Sequence, residues 1–459
     1  MTDLKAVVLV VGAWLAAGFA AANPLPTNND PNNQIRFSTA GAANAKRQQL
    51  TNFIWATGLP VSAMPTITAN VGASIFGADL SGINPSLVSQ VTRLDADVSG
   101  YDFHSISYLL TPTNAAHATR VVIVHQGHSS SNTPLDNGVG NTVNALLLQG
   151  FSVNVMQMPL FGWNNDTTAL VPGQGVLNYG TSFDGHAAII NSTGPALGGT
   201  GFRLFLEPVI QSINYFASLS GLVDVSMIGI SGGGWTTNMV AAIDTRVGLS
   251  IPVAGSAPLF SRNNDPPSVG DLEQYYQPLY GENIAQDGSG GGVATWMEIY
   301  ALGGYGAARK QVMVTNEFDP CCFSGLFADP FKDIVSNAVD LLNAGNWDYY
   351  LDSTSQLHEI TGNTMSRVLF PALGVVRFID GLDPPVNVNR VAEPSTMALI
   401  VLGLALAMLS GLRLSTRSTP REGISAATSP PPRFRPQLTQ CPATGGAQSL
   451  RTISRTMQG

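Results

Sequence analysis

Cysteine and charged side chains are both scarce in this sequence. Three of its 459 residues are cysteine, and Asp, Glu, Lys and Arg together make up 11%. Three cysteines are too few for the disulfide framework of a small secreted domain, and Cys321, Cys322 and Cys441 lack the spacing of a zinc-binding motif. The adjacent Cys321 and Cys322 leave two alternatives open, a vicinal disulfide ring in an oxidising compartment or a pair of thiols.

Basic residues are also few, with 22 Lys and Arg against 30 Asp and Glu, a formal net charge of −8. The body of the chain is acidic, and only the stretch after Ser395 is basic. An acidic body lacks the positive patch that attracts nucleic acid, so nucleic acid is excluded as an expected partner. Apolar residues make up 44% of the chain, enough to bury the core of one large domain or two ordinary ones.

The first 22 residues predict a secretory signal peptide. A short start with one lysine, MTDLK, precedes the apolar run AVVLVVGAWLAAGFA and the small residues AAN. This order is typical of a signal peptide cleaved after Ala22, whereas the run is short for a membrane anchor, which is the alternative. We therefore expect export to the periplasm, the outer surface or the extracellular matrix.

The C-terminal part resembles the PEP-CTERM sorting signal of bacterial surface proteins over residues 391–417. The motif AEPS at residues 392–395 precedes the apolar run 397–412, and Arg413 and Arg417 follow that run. Apolar residues next to arginines predict a transmembrane helix with its basic end inside. The resemblance implies a Gram-negative host, an exosortase-type processing protease as a partner, and membrane anchoring before processing. The first proline of the motif is absent here, and we expect residues 418–459 to form a disordered tail.

Between these ends, strand-like and helix-like segments alternate, which predicts an α/β fold. Runs such as VVIV are apolar throughout, as in a parallel sheet with helices on both faces. We assign this domain to residues 66–390 and expect residues 23–65 to be irregular. Residues 161–200 are expected to be a loop. Residues 261–306 interrupt the alternation and are expected to form a cap over the carboxyl edge of the sheet.

Residues 229–235, GISGGGW, follow the strand-like segment VDVSMI. A strand, a tight turn at serine and a helix form the nucleophile elbow G-x-S-x-G, with Gly229, Ser231 and Gly233 at its three defined positions. Glycine is needed on either side because a side chain there would collide with the adjacent strand or helix. The alternative is a glycine-rich turn with an ordinary serine, which the flanking strand and helix disfavour.

The catalytic base and acid are predicted from chain order. A serine nucleophile needs a base, and with this elbow the order along the chain is serine, acid, histidine. Of the six histidines only His358 follows Ser231, in the loop SQLHEI after a strand-like segment. The acid is expected after the strand-like KQVMVTN, where Asp319 is the preferred candidate and Glu317 is the alternative.

Two main-chain N–H groups are needed to bind the oxyanion of the reaction. One is assigned to Gly232, directly after the nucleophile. The other is assigned to the loop after VVIV, where Gln126 or His128 is the donor and Gly127 permits the tight path of the loop. No metal and no cofactor are expected, since HEITGN at His358 does not match the zinc motif HExxH.

These motifs together resemble the α/β-hydrolase superfamily over residues 90–385. The resemblance implies Ser231 as nucleophile, Asp319 as acid, His358 as base, and the turn at residues 125–128 as the oxyanion loop. It also implies acyl transfer, and we expect a carboxylic-ester hydrolase that acts on a small-molecule or acylated substrate. A serine peptidase of the same fold and a surface-retained binding protein with a vestigial site are the alternatives.

Aromatic residues leave the interpretation of substrate binding open. Two interpretations are open for the aromatic residues of the expected cap: they line an apolar or sugar-binding pocket, or they pack the core of the cap. These residues are Tyr275, Tyr276, Tyr280, Trp296 and Tyr300. Trp163 and Trp235 are expected to flank the nucleophile and shape the acyl site.

Overall fold

The structure is a computed structural model. It describes residues 30–375 apart from 99, 129–133, 166–167, 172–174, 179–182, 193–198, 222–223, 263–270, 283–289 and 325–327. The predicted signal peptide (1–22), sorting signal (391–417) and tail (418–459) lie outside the described residues. Within the described part, no helix combines the length and apolar character needed to cross a membrane.

The centre of the molecule is a nine-stranded sheet. Its strands are β1 Thr66–Ala69, β2 Val88–Asp97, β3 His104–Pro112, β4 His117–His125, β5 Phe151–Met156, β8 Asp224–Ile230, β9 Val247–Val253, β10 Lys310–Asn316 and β11 Asn346–Asp352. They lie side by side in the order β1-β2-β3-β5-β4-β8-β9-β10-β11. Strands β5, β4, β8, β9, β10 and β11 run parallel, and β1, β2 and β3 form an antiparallel extension. The strands β6 Thr168–Val171 and β7 Gly175–Asn178 form a separate hairpin.

Helices cover both faces of this sheet. They are α1 Ala40–Trp55, α2 Val139–Leu148, α3 Phe183–Ser192, α4 Phe202–Ser218, α5 Gly232–Ile243, α6 Leu272–Tyr275, α7 Gln277–Tyr280, α8 Trp296–Gly304 and α9 Lys332–Leu341, followed by a closing helical stretch of Gly362–Thr364, Met365–Leu369 and Phe370–Ala372. Short 3-10 turns occupy Pro31–Asn33, Ala73–Gly77, Pro85–Leu87 and Leu259–Ser261.

The alternation of side chains along β4 shows why its sequence is apolar throughout. Val121 and Ile123 belong to the core cluster beneath α4, α5 and α8. Val122 and Val124 belong to the cluster beneath α2 and the closing helical stretch. Successive side chains of a strand point to opposite faces, so a strand buried on both sides has no polar face. The predicted mostly parallel sheet with helices on both faces is confirmed, and the fold is an α/β-hydrolase fold.

The N-terminal segment differs from the prediction of an irregular stretch over residues 23–65. Residues 40–55 form the helix α1, which Thr39 caps by accepting a hydrogen bond from the N–H of Ala42. Arg47 of this helix donates hydrogen bonds to the carbonyls of Ala242, Leu302 and Tyr305, at the ends of α5 and α8. A cation there satisfies carbonyls that the helices leave without partners. The prediction of irregularity is wrong for residues 40–55. Polar side chains such as Arg47, which bind the ends of other helices, interrupt the apolar pattern by which a helix is recognised in the sequence.

The interrupting segment 261–306 also differs from the expected cap. Its last part, α8, packs against α5, α9 and the strands β10 and β11 on one face of the sheet. Tyr280 and Trp296 stack with ring centroids 4.6 Å apart, and both rings and Tyr300 are fully buried. The cap prediction is therefore wrong for residues 296–304, and these three rings form core rather than pocket. Residues 263–270 and 283–289 of the segment lie outside the described residues.

The predicted loop at 161–200 contains regular structure as well. The hairpin of β6 and β7 and the helix α3 lie within it. Helix α3 contacts α6 of the interrupting segment. The glycine and asparagine content of this stretch concealed a helix whose buried residues include His186.

Glu298 at the start of α8 joins the N-terminal segment to the core through buried charges. Its carboxylate lies 2.7 Å from the Arg36 guanidinium and 3.5 Å from Lys46 Nζ, with Glu298 fully buried. It also accepts hydrogen bonds from the main-chain N–H groups of Arg36 and Thr295. Burial lowers the pKa of Lys46, an effect that Glu298 opposes.

We predict that Glu298→Ala lowers the free energy of unfolding by about 3–5 kcal/mol, because the cations are left buried without their partner. Chemical denaturation of the purified protein measures the loss. Asp329→Ala is the matched control, since Asp329 pairs with Lys332 at 2.8 Å on the surface and exposed pairs contribute little. An equal, small effect of both changes would contradict the prediction.

Candidate active site

Ser231 lies in the sharp turn between β8 and α5. Its backbone has φ 58° and ψ −125°, a conformation that costs energy for any residue with a side chain. Two main-chain hydrogen bonds hold the turn: the N–H of Ser231 donates to Val253 O at 3.0 Å, and its carbonyl accepts from the N–H of Trp235 at 2.9 Å. The serine side chain is half-buried at the carboxyl end of the strand.

The glycines beside this serine are required by close approach of the backbone. A Cβ atom on Gly229 would lie 2.3 Å from Gly233 O, and one on Gly233 would lie 2.1 Å from His125 O. Neither contact can be relieved by rotating a side chain, because backbone atoms form it. The glycines thus let β8, α5 and the loop after β4 pack together, which is the arrangement that the elbow motif predicts.

Asp319 and His358 are brought together from the ends of two neighbouring strands. Asp319 follows β10, and His358 lies in the loop after β11. The Nδ1 atom of His358 lies 2.6 Å from Asp319 Oδ2, and the carboxylate is fully buried. A carboxylate only accepts, so Nδ1 carries the hydrogen and Nε2 of the neutral ring carries the lone pair. This is the tautomer that a general base needs.

Asp319 is oriented from its other side by the main chain of the two cysteines. Cys321 and Cys322 are joined by a disulfide, the first of the two alternatives that the sequence leaves open. Their main-chain N–H groups donate to Asp319 Oδ1 at 2.8 and 3.1 Å. One oxygen of Asp319 is therefore held by the backbone, and the other faces the histidine.

Glu317, the alternative acid, contacts a different part of the molecule. It is half-buried, and its main-chain N–H donates to Asp352 O at 2.8 Å. Of the two candidates, the structure places Asp319 against His358. Nε2 of His358 is buried without a hydrogen-bond partner among the described residues, so the bond to Ser231 is not formed. Such bonds often close only when substrate binds, and the catalytic roles of the three residues stay predictions.

The loop at residues 125–128 lies against the elbow. A Cβ on Gly127 would lie 2.7 Å from Ser231 Cβ and 2.9 Å from the nitrogen of Gly232. The side chain of His128 is equally close, since a Cβ on Gly232 would lie 2.9 Å from His128 Cε1. The N–H of Gly232 and the loop thus flank the serine, as an oxyanion hole requires.

Gln126 braces this loop and is not available as an oxyanion donor. Its N–H donates to Met156 O at 2.9 Å. Its side chain accepts from the N–H of Gly127 at 2.9 Å and donates to Asp136 Oδ1 at 2.7 Å. The prediction for Gln126 is contradicted because each of its donors already has an acceptor. His128 is then the candidate for the second donor.

His125 at the start of the loop is a core histidine. It is fully buried, and its Nδ1 lies 2.7 Å from Gln126 O. Burial lowers the pKa of His125 to about 4, although the hydrogen bond opposes the shift. The ring is therefore neutral at physiological pH and organises the turn.

The two tryptophans expected beside the nucleophile lie elsewhere. Trp235 is fully buried in the core and donates a hydrogen bond from Nε1 to the Tyr280 hydroxyl at 2.9 Å. Trp163 donates from Nε1 to Ile106 O at 2.8 Å and packs edge-on against Tyr108 of β3. Burial removes Trp235 from the acyl site, and its ring anchors the first turn of α5 in the core.

Sequence reasoning missed a cluster of ionisable side chains beside the loop at residues 125–128. His128, His186, Asp271 and Glu273 place one potential metal-ligand atom each within 4.8 Å of one another. Burial lowers the pKa of His186, but the carboxylates of Glu273 and Asp271 outweigh it and raise the pKa to about 10. The four residues come from three separate elements, so no local spacing in the sequence could have predicted their meeting.

Comparison with known proteins shows likeness at the level of solved structures. No protein-family model matches the chain, and no curated protein matches it. A glucuronoyl esterase from Solibacter usitatus is 13% identical with a TM-score of 0.48, the match covering 77% of this chain and 99% of that one. An acetyl xylan esterase from a Thermoanaerobacterium species is 16% identical with a TM-score of 0.47, covering 76% and 98%. An acetyl xylan esterase from Paenibacillus sp. R4 is 13% identical with a TM-score of 0.44, covering 75% and 98%. Likeness this low does not transfer a reaction or a substrate.

We predict that Gly233→Ala destabilises the protein by about 1–3 kcal/mol, because the new methyl group forces the loop after β4 away from the elbow. Thermal or chemical unfolding measures the loss. Gly77→Ala is the matched control, since a Cβ there meets nothing within 4 Å and Gly77 has no positive φ. Unfolding of both variants like the unchanged protein would contradict this prediction.

Proposed function

We propose that this protein is a serine hydrolase that cleaves carboxylic esters through an acyl-enzyme. The observation that carries the proposal is the hydrogen bond of 2.6 Å between His358 Nδ1 and Asp319 Oδ2. It occurs in the same molecule as a serine held in a strained elbow turn. A buried Asp–His pair supplies a base of fixed tautomer, and the strained turn presents a nucleophile.

The proposed reaction proceeds in two balanced halves. Ser231 Oγ bonds to the ester carbonyl carbon while its proton passes to His358 Nε2, and the carbonyl oxygen becomes an oxyanion. The N–H groups of Gly232 and His128 stabilise that oxygen. Collapse expels the alcohol, which takes the proton from His358. Water then attacks the acyl-serine with His358 as base, and this releases the carboxylic acid and restores Ser231.

The substrate class is proposed as a small-molecule ester or an acylated molecule outside the cell. We also propose export through residues 1–22, sorting by the segment 391–417 with membrane anchoring before processing, and cleavage by an exosortase-type protease. The disulfide between Cys321 and Cys322 supports export, because disulfides persist in oxidising compartments. Intact mass of the protein recovered from the cell envelope tests this. A chain that begins at Asn23 is expected, and a chain that keeps residues 1–22 in the cytoplasm would refute export.

The activity is tested with p-nitrophenyl acetate and butyrate. We predict that Ser231→Ala lowers hydrolysis to the uncatalysed rate in buffer, because the nucleophile is lost.

Asp319→Asn should lower kcat by about 10⁴, because the imidazole loses the partner that fixes its tautomer. Glu317→Gln is the matched control and should keep full activity.

Two outcomes would replace the proposal. Turnover of peptide p-nitroanilides without ester turnover would identify a serine peptidase. Correctly folded protein that hydrolyses neither class would indicate a binding protein with a vestigial site. Loss of activity in Glu317→Gln but not in Asp319→Asn would overturn only the assignment of the acid.

A further inference from the structure

Four side chains converge on one point next to the oxyanion loop. His128 Nε2 lies 3.0 Å from Asp271 Oδ2 and 3.6 Å from Glu273 Oε1. His186 Nδ1 lies 3.6 Å from Asp271 Oδ2 and 3.4 Å from Glu273 Oε1. The two histidine nitrogens are 3.3 Å apart. Each histidine thus lies near both carboxylates, and each carboxylate lies near both histidines. The four groups therefore do not form two separate ion pairs.

These separations match the edges of a tetrahedron around a metal ion. Zinc binds nitrogen and carboxylate oxygen at about 2.0–2.2 Å, so the ligand atoms of a tetrahedral site lie about 3.4 Å apart. Five of the six edges here measure 3.0–3.6 Å. Charge-assisted hydrogen bonds draw nitrogen and oxygen to about 2.7–2.9 Å. The spacing therefore fits a shared central ion better than a set of direct ion pairs.

The ring of His186 is oriented with Nδ1 toward the cluster. Nε2 of His186 lies 2.9 Å from the carbonyl of Pro159, and a carbonyl only accepts, so that nitrogen carries the hydrogen. Nδ1, which faces the carboxylates, is then the nitrogen that would bind a metal ion in place of its proton. A hydrogen bond from the outer nitrogen to a carbonyl is the usual support of a metal-binding histidine.

Glu273 supplies a second, independent observation. Its Oε2 atom is buried and makes no hydrogen bond within the described part of the chain, whereas Asp271 Oδ2 has His128 Nε2 at 3.0 Å. The side chain of Glu273 is fully buried. A buried carboxylate oxygen without a partner is costly, and a bound cation removes that cost. Oε1 of the same carboxylate faces both histidine nitrogens, so a cation bound between them would also lie beside Glu273 Oε2.

We propose that His128, His186, Asp271 and Glu273 bind one divalent transition-metal ion, with zinc as the ion that best suits two imidazoles and two carboxylates at tetrahedral spacing. Four protein ligands leave no open coordination position, so the ion is structural. It connects the loop after β4, the helix α3 and the start of α6. Because the His128 ring packs against Gly232, the ion also fixes the loop beside the elbow.

Zinc content of the purified full-length protein tests this directly. After incubation with zinc chloride and gel filtration, we expect about one zinc ion per chain by plasma mass spectrometry. His186→Ala and Glu273→Gln should each lower zinc content about tenfold or more. His104→Ala is the matched control, because His104 also lies between two carboxylates, Asp97 and Asp102, but is 54% exposed. It should keep the zinc of the unchanged protein.

Cobalt substitution and chelation keep the test decisive if a variant fails to fold. Cobalt in the unchanged protein should give the visible absorption bands of a tetrahedral site, and EDTA should lower the unfolding temperature until zinc is restored. Absence of bound zinc and of the cobalt bands in the unchanged protein would overturn the proposal in favour of an ion-pair cluster. Equal zinc in folded His186→Ala would overturn the assignment of the ligands. None of these readouts requires turnover, so failure of the proposed esterase activity would leave them unaffected.

Discussion

The close contact of three backbone segments around Ser231 is the constraint on which the rest of the site depends. Strand β8 turns into α5 with no room for a side chain at Gly229 or Gly233. The loop after β4 fits into the same space because β4 is the hydrogen-bonded neighbour of β8. The carboxyl ends of parallel strands meet at one edge, so residues that follow β10 and β11 reach that edge too. The order of the strands therefore places Ser231, the loop at residues 125–128 and the pair of Asp319 and His358 along one edge of the sheet.

The sequence predicts those parts of the site that depend on local patterns or on chain order. The elbow is visible in a heptapeptide, and His358 is the only histidine after Ser231. The sequence favours Asp319 but leaves Glu317 open, because both lie within three residues after the same strand. Only the folded structure shows that Asp319 is the one that contacts His358. Gln126 was assigned wrongly since its acceptors, Met156 and Asp136, are contributed by other parts of the chain.

The elements that sequence reasoning missed are stabilised by contacts distant in the chain. Helix α1 mixes polar and apolar residues, and its Arg47 donates hydrogen bonds at the ends of two other helices. Helix α8 lies in a segment interrupted by glycines, yet it covers a face of the sheet. The cluster of His128, His186, Asp271 and Glu273 forms where α3 and the start of α6 meet the loop at residues 125–128. Tertiary contacts of this kind override local propensity and leave no periodic signal in the sequence.

The central claim, that Ser231 is an activated nucleophile, is tested most directly by labelling the folded protein with a fluorophosphonate and locating the adduct by peptide mass spectrometry. We predict a single adduct, on Ser231. It should form far more slowly when Asp319 is replaced by asparagine, because activation of the serine requires a correctly oriented His358. Folded protein that forms no adduct on Ser231, or that labels at the same rate with and without Asp319, would contradict it.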